Sequence, residues 1–157
     1  MAALSAKGYA LLTLKRLPEA AEVLEVAVRL APDDSNSLIN LGHVYLAQGQ
    51  LGRAIPALEY AVKLAPKAED ARFYLIESLT RAGQLTRART QVDAWLQQRP
   101  DAPQALYWST AVGLMAGDRV RAVSAYRRLQ TLDAKLAADV QRRSRMPGTL
   151  PIINLPD

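Results

Sequence analysis

A 34-residue period runs through this sequence and limits what it can fold into. Proline marks the period at Pro32, Pro66 and Pro100. Glycine and alanine keep the same step at Gly49, Gly83, Gly117, Ala20, Ala54 and Ala88. A fixed period of this length is typical of chains built from supersecondary units that bury their apolar faces against their neighbours. The function is therefore expected to lie in an extended binding surface.

The stretch before Pro66 shows what one period contains. Apolar residues recur at three- and four-residue spacing in residues 38–45 and again in residues 54–62, which predicts two α-helices. Residues 33–35 (Asp-Asp-Ser) are expected to cap the first helix. Gly49 is expected to end it, because glycine readily takes the left-handed conformation at a helix end. Each period is thus predicted to be a helix–turn–helix hairpin.

Two small residues are expected where the helices of this hairpin meet. Gly42 lies in the first helix and Ala54 in the second, and together they let the two backbones approach closely. A larger side chain would overpack the contact, at a cost of about 1–3 kcal/mol. Both positions are therefore predicted to serve packing.

These residues resemble the tetratricopeptide repeat (TPR) family. The second repeat matches its pattern at Leu38, Leu41, Gly42, Tyr45, Ala54, Leu58, Ala61 and Pro66. The resemblance covers residues 1–134, as four repeats at 1–34, 35–68, 69–102 and 103–134. The pattern is broken at Arg72, Ile76 and Trp95 in the third repeat and at Ser109, Thr110, Gly113 and Ala134 in the fourth. The resemblance implies an all-α fold, a right-handed superhelix (α-solenoid) of helix–turn–helix hairpins.

Two C-terminal segments follow the repeats. Residues 135–146 are predicted to form a capping helix with Leu136 and Val140 on its apolar side. Residues 147–157 hold three prolines and are predicted to be extended. Four large apolar residues lie in this tail, at Leu150, Ile152, Ile153 and Leu155, and each forgoes about 1.5–3 kcal/mol if left in water. We expect the tail to dock on the TPR surface of its own chain or of a second copy, unless it is inert or leads into a further domain.

The TPR resemblance also implies a concave groove lined by one face of each repeat's first helix. The residues that it places there are Tyr9, Asn40, His43, Phe73, Tyr74, Glu77, Arg81, Tyr107 and Trp108. Five of the chain's nine aromatic residues fall in this set, and exposed aromatic clusters favour binding because each ring offers roughly 150–250 Å² of contact. The set predicts a non-catalytic adaptor that binds an extended or helical segment of another protein. Alternative roles stay open for three of these residues. Phe73 and Tyr107 could instead pack between neighbouring helices, and Asn40 could bond to a neighbouring helix instead of a ligand.

One TPR subfamily clamps the C-terminal carboxylates of chaperones. This sequence argues against that function. That subfamily has cations where this chain has Ser5, Asp70 and Tyr74. Each charge-assisted bond is worth about 1.5–3 kcal/mol, so losing three removes most of the affinity.

Positive charge is concentrated in the C-terminal half. Up to Ser78 there are 8 basic and 9 acidic side chains, and from Leu79 onward there are 12 and 6. The basic residues of interest are Arg119, Arg121, Arg127, Arg128, Arg142, Arg143 and Arg145. They suggest, as an alternative function, electrostatic docking to nucleic acid or an anionic membrane. We rank it below protein binding, because no aromatic residue interleaves with the arginines to stack on bases. The arginines are also compatible with a plain solvated helix surface. A third alternative is self-assembly through the tail or through the ends of the solenoid.

Other classes of function find little support in the composition. The chain has no cysteine, one histidine and no glycine-rich phosphate loop, so neither an enzyme nor a cofactor, metal or small-molecule substrate is predicted. No apolar run approaches the roughly 18–20 residues that span a bilayer. No signal peptide is expected either, because Lys15 and Arg16 follow the first apolar stretch instead of preceding it. The cytoplasm is favoured over the periplasm.

Overall fold

The computed structural model describes residues 2–145, and all regular structure in that range is α-helical. The helices are α1 (Ala2–Thr13), α2 (Leu17–Leu30), α3 (Ser35–Ala47), α4 (Leu51–Leu64), α5 (Glu69–Arg81), α6 (Leu85–Gln98), α7 (Pro103–Met115), α8 (Arg119–Leu132) and α9 (Ala134–Ser144). The predicted tail, residues 147–157, lies outside the described residues, as does the last residue of the predicted capping helix.

The described residues form two compact units that divide between residues 82 and 83. Unit 1 (residues 2–82) contains α1 to α5, and unit 2 (residues 83–145) contains α6 to α9. The division falls inside the predicted third repeat, between α5 and α6. The four repeat boundaries themselves stay a prediction.

Unit 1 is built from two helix hairpins and a fifth helix. The pairs α1–α2 and α3–α4 pack as hairpins, and α1, α3 and α5 lie side by side. The predicted apolar stripe of α3 is buried, with Leu38, Leu41 and Tyr45 at most 5% exposed. The opposing stripe of α4 is buried too, since Leu58 and Ala61 are fully inaccessible. The helical period therefore predicted the core of this unit correctly.

The close contact predicted at Gly42 is present, but a different residue lies opposite. A Cβ atom on Gly42 would stand 2.5 Å from Cγ of Leu58, far inside contact distance. Gly8 meets Leu24 in the same way, at 2.4 Å. Ala54 is fully buried, yet it is the branched leucine side chain that occupies the space above the glycine.

The turn after α3 is closed as predicted by a left-handed glycine. Gly49 has φ +74°, and the amide of Gln50 donates to the carbonyl of Tyr45 at 2.8 Å. This is the bond that satisfies a helix C-terminus in a Schellman turn. Gly83 and Gly117 have nearly the same φ. One repeat earlier the position is held by Lys15 at φ +59°, where a side chain is disfavoured.

The capping prediction for α3 is wrong in its detail. Asp34 stands at the N-cap position, but its side chain makes no bond to the helix backbone. Its carboxylate accepts instead from the hydroxyl of Ser37 at 2.5 Å. The carboxylate is therefore bonded to a side chain of the first turn and not to its amides. Side-chain caps occur at α8, where Asp118 accepts from the Arg121 amide, and at α9, where Asp133 accepts from that of Leu136.

A polar contact joins α2, α3 and α4 beside this core. The Tyr45 hydroxyl donates to Oε1 of Glu25 at 2.9 Å, and the Arg53 guanidinium lies 4.1 Å from the centre of the Tyr45 ring. Burial, helped by the hydrogen bond to Glu25, raises the pKa of Tyr45 to about 12. The phenol is therefore a neutral donor that ties the first hairpin to the second.

Unit 2 surrounds α7. That helix is buried continuously from Ala105 to Leu114. It packs against α6, α8 and α9. The predicted capping helix is α9, which packs against both helices of the preceding hairpin and has Ala137 and Val140 buried.

Candidate functional site

Four of the residues predicted for the groove of unit 1 lie close together on a surface that we call the first-helix face: Tyr9 of α1, Asn40 and His43 of α3, and Tyr74 of α5. Asp70 of α5 completes this face, since its charge acts on both His43 and Tyr74. The His43 and Tyr74 rings stack across the α3–α5 contact, with centroids 4.0 Å apart and planes 20° from parallel. Tyr9 is 55% exposed, a large value for an aromatic ring. The face thus offers one exposed ring, that of Tyr9, and one ring held in place by stacking, that of Tyr74.

Asn40 bridges two helices at this face. Its Nδ2 donates to the Ser5 hydroxyl on α1 at 3.4 Å, so interhelical bonding, one of the two roles expected for it, is present. A surface depression adjoins this bond, lined by Ala2, Ser5, Ala6, Tyr9, Asp34, Asn36 and Asn40. This bond uses the amide nitrogen of Asn40, and the carbonyl oxygen is a separate acceptor that a ligand donor could use. A ligand contact at Asn40 stays a prediction.

The predicted residues of α5 brace the face. The Phe73 ring meets the Tyr74 ring edge to face, with centroids 5.6 Å apart. Arg81 lies 3.8 Å from the Glu77 carboxylate, as its four-residue spacing indicates, and it donates to the carbonyl of Leu46 on α3 at 3.3 Å. Tyr74, through its stack on His43, and Arg81, through its bond to Leu46, therefore hold α5 against α3 at two points along the helices.

The electrostatics of the face are set by burial and by acidic neighbours. Burial lowers the pKa of His43, and the nearby charge of Asp70 opposes this effect. Burial raises the pKa of Tyr74, with smaller contributions from Asp70, Tyr9 and Glu77. At neutral pH the stack is consequently an uncharged imidazole on an uncharged phenol, beside carboxylates.

The two predicted groove residues in unit 2 are placed differently. Tyr107 and Trp108 are only 7% and 8% exposed, and their rings meet edge to face with centroids 5.4 Å apart. Burial of Tyr107 agrees with a role in packing between helices. As ligand contacts, both residues stay a prediction.

The basic residues predicted as a surface patch are largely drawn into ion pairs. Arg121 lies 2.6 Å from Asp93, and Arg128 lies 2.5 Å from Asp101. The Asp139 carboxylate forms ion pairs with both Arg142 and Arg143. Arg121 is also mostly buried, with its side chain 17% exposed. Arg119, Arg127 and Arg145 are exposed.

Sequence reasoning missed these pairs, although the period contains a signal for them. Glu25 pairs with Arg53 and Asp93 pairs with Arg121, and in both cases the base follows the acid by 28 residues. The two pairs are equivalent positions, 68 residues or two periods apart. Comparing opposite charges at an offset of 28 residues would have found these two pairs, but not the pairs that Arg128, Arg142 and Arg143 make at other offsets.

Within residues 2–145, no three acidic or histidine side chains converge as a metal site would require. In the same range no helix combines the length and apolar character needed to cross a bilayer.

Comparison with known proteins agrees with this architecture. A tetratricopeptide repeat family model matches residues 1–35, 39–103 and 81–137. The chain therefore belongs to the tetratricopeptide repeat family, and the all-α TPR fold predicted from the sequence is confirmed. Proteins of this kind serve generally as scaffolds for protein interactions. None of the curated proteins compared matches the sequence.

Solved structures of TPR proteins share the fold at low identity. YrrB, described as a TPR protein with an unusual peptide-binding site, is 24% identical, with a TM-score of 0.77 over 86% of this chain and 71% of YrrB. A MamA mutant is 22% identical, with a TM-score of 0.71 over 83% of this chain and 76% of MamA. A thermophilic TPR protein from Thermus thermophilus is 18% identical, with a TM-score of 0.73 over 88% of this chain and 80% of that protein.

Proposed function

We propose that this protein is a non-catalytic adaptor that binds an extended or short helical segment of another protein on the first-helix face. The observation that carries the proposal is the exposure of Tyr9 beside the His43–Tyr74 stack. Tyrosine is enriched among residues that dominate binding energy, because it offers a large rigid ring and a polar end.

The face is held in place before any ligand arrives. The stack, the Asn40–Ser5 bond and the contact from Arg81 to Leu46 fix α1, α3 and α5 against one another. Preorganisation of this kind reduces the ordering cost of binding. An affinity of about 1 μM, near −8 kcal/mol, is expected for a short segment.

The likeness to YrrB supports the kind of partner. YrrB is described as having a peptide-binding site, and it shares this fold over most of both chains. At 24% identity the comparison does not transfer individual residues.

A catalytic role is not supported by the chemistry of the face. His43 is the chain's one histidine, and it is stacked on Tyr74. Among the described residues, the charge that acts on His43 is the Asp70 carboxylate, and no serine or threonine hydroxyl is hydrogen-bonded to the imidazole. The proposal therefore assigns His43 to binding.

Electrostatic docking by the arginines is the second candidate, and the ion pairs count against it. Four of the seven arginines have carboxylates beside them, which lowers the field that they present. Binding of a fluorescent oligonucleotide or of anionic vesicles at low and high salt would test it, since phosphate-dominated binding falls steeply with salt. Light scattering of the isolated chain would test self-assembly.

The decisive experiment compares tyrosines that differ in position. Short peptides selected from a displayed library on the purified protein would be titrated against wild type, Tyr9→Ala, Tyr74→Ala and Tyr60→Ala. Tyr60 is the matched control, because it is 38% exposed but lies on the second helix α4, where its hydroxyl donates to Asp33. We expect at least about a tenfold loss of affinity for Tyr9→Ala and little change for Tyr60→Ala. Equal affinities for all variants, with unchanged circular dichroism, would reject the proposal.

A further inference from the structure

The first-helix face has a charge opposite to that of the chain as a whole. The chain carries a formal net charge of +5. On the face, Asp70 is exposed one turn before Tyr74, Glu77 follows on the same helix, and Asp34 lines the depression beside Tyr9. The cation on this side of α5, Arg81, is held beside Glu77 and the Leu46 carbonyl. Carboxylates therefore dominate the field over the face.

Several cations of unit 1 are directed towards the second helices instead. Arg16 and, more weakly, Lys7 lower the pKa of Glu19 on α2, which places both charges beside that helix. Arg53 lies 2.8 Å from Glu25, also on α2, and the charge of Arg29 acts on the same carboxylate. The acidic charge of the face comes from Asp70 and Glu77 of α5 and from Asp34 at the start of α3, since α1 and α3 themselves contain no acidic residue.

The aromatic rings of the face favour the same ligand chemistry. Tyr74 stands four residues after Asp70, so both lie on one side of α5. The Tyr9 ring is more than half exposed, and an aromatic face attracts the ammonium of lysine or the guanidinium of arginine. A carboxylate one helical turn from an aromatic ring is thus suited to a cation and repels an acidic side chain.

We propose that the segment bound here carries a lysine or arginine whose cation lies against Asp70 and the tyrosine rings of Tyr9 and Tyr74. Asn36 and Asn40, which line the depression beside Tyr9, have amides suited to the segment's main chain. This inference rests on the proposed function and adds the charge class of the partner. The preference runs against the net charge of the protein, which by itself would attract acidic peptides.

The test selects short random peptides on immobilised wild type and on three variants. Asp70→Lys reverses one charge on the face. Glu22→Lys makes the same change at an exposed position on α2 and serves as the control for net charge. Tyr9→Ala reports whether the selected peptides use the face at all.

We expect wild type and Glu22→Lys to enrich peptides with more Lys and Arg than Asp and Glu, and Asp70→Lys to lose that preference. Replacing the lysine of the best peptide with glutamine should weaken binding about tenfold. Against Asp70→Asn the same replacement should have a much smaller effect, since the two changes remove one interaction.

The possible failures are distinguishable. Peptides that require Tyr9 but have no excess of positive charge would overturn this inference and leave the proposed function standing. The inference also fails if Glu22→Lys shifts the selected charge as far as Asp70→Lys does. If no peptide depends on Tyr9, the proposed function fails, and this inference with it.

Discussion

Helices α3 and α7 occupy the same place in the 34-residue period, two repeats apart, and they differ in what they expose. Asn40 and His43 of α3 are half-buried and lie on an open face, whereas the equivalent Trp108 and Ala111 of α7 are 8% and 1% exposed. The period assigns both helices the same orientation. It does not say whether the surface on that side is open, because this depends on what else packs there.

The α3–α4 and α7–α8 hairpins also differ in which residues form the close contact between their two helices. In α3 the small residue is Gly42 beneath Leu58, and Tyr45 is large. In α7 the position of Gly42 holds buried Thr110, and the position of Tyr45 holds Gly113, where a Cβ atom would lie 3.1 Å from the Ala122 amide nitrogen. The hairpin requires one close approach between its helices, and that approach has moved by three residues, nearly one helical turn.

The largest expected effect tests the difference between the open and the buried helix. Trp108→Ala should destabilise the protein by about 3–5 kcal/mol, because it removes a buried indole from a packed helix. The equivalent change in α3, Asn40→Ala, removes one long hydrogen bond and should cost about 1 kcal/mol. Urea unfolding followed by circular dichroism would measure both. Similar losses for the two variants would mean that α3 and α7 are equally buried in solution.

The next effect concerns the tight contact of the α3–α4 hairpin. Gly42→Ala drives a Cβ atom to 2.5 Å from Leu58, and we expect a loss of about 1–3 kcal/mol. Gly52→Ala is the control, because a Cβ atom there meets nothing within 4 Å and the position is helical, so a gain of about 0.4–1 kcal/mol is expected. A stable Gly42→Ala protein would show that Leu58 can change rotamer without cost.

A smaller effect is expected in the turns between the helices of a hairpin, where Lys15 follows α1 and Gly49 follows α3. Lys15 adopts φ +59°, where a side chain costs about 1–2 kcal/mol. Lys15→Gly should recover about 1 kcal/mol after the extra backbone entropy of glycine is subtracted. Gly49→Ala, where only φ opposes the change because the space is open, should lose a similar amount. Melting temperatures that move in the same direction for both variants would contradict this account.

The smallest expected effect is the pH dependence contributed by His43. Burial lowers its folded pKa below the ordinary value of 6.5, so the unfolded chain binds more protons in the window just below that value. Stability from this group is present above pH 6.5 and is lost as the pH falls through the folded pKa. The groups that face His43 from α5 are Tyr74, which stacks on its ring, and Asp70, whose charge opposes the effect of burial.

His43→Gln isolates that contribution. We expect the loss of stability between about pH 7.5 and pH 5.5 to be smaller in the variant than in wild type. Protonation of His43 also adds positive charge to the face, so a basic peptide should bind more weakly at the lower pH. If wild type and His43→Gln have identical pH profiles, His43 titrates as it would in the unfolded chain.

Much of the candidate site was predictable, because the period assigns residues to faces. The spacing put Tyr9, Asn40, His43 and Tyr74 on one face of the first helices, and the TPR resemblance implied that this face lines a groove. The four residues lie close together, and their role as a binding site stays a prediction. Their contacts were not predictable: the His43–Tyr74 stack depends on the separation and rotation of α3 and α5, which spacing does not specify. The available arginines were overestimated for the same reason, since a count of charges does not show that Arg121 lies against Asp93.

The sequence by itself determined the helices, the left-handed turn at Gly49 and the hairpin stripes around Leu38 and Leu58. These depend on φ preferences and on the 3.6-residue period, which act within one repeat. The tertiary structure decided which of the equivalent faces are open, as the exposure of Tyr9 and the burial of Trp108 demonstrate. The physical reason is that burial and pairing are properties of neighbours, and those neighbours come from other helices at distances along the chain that no local pattern encodes.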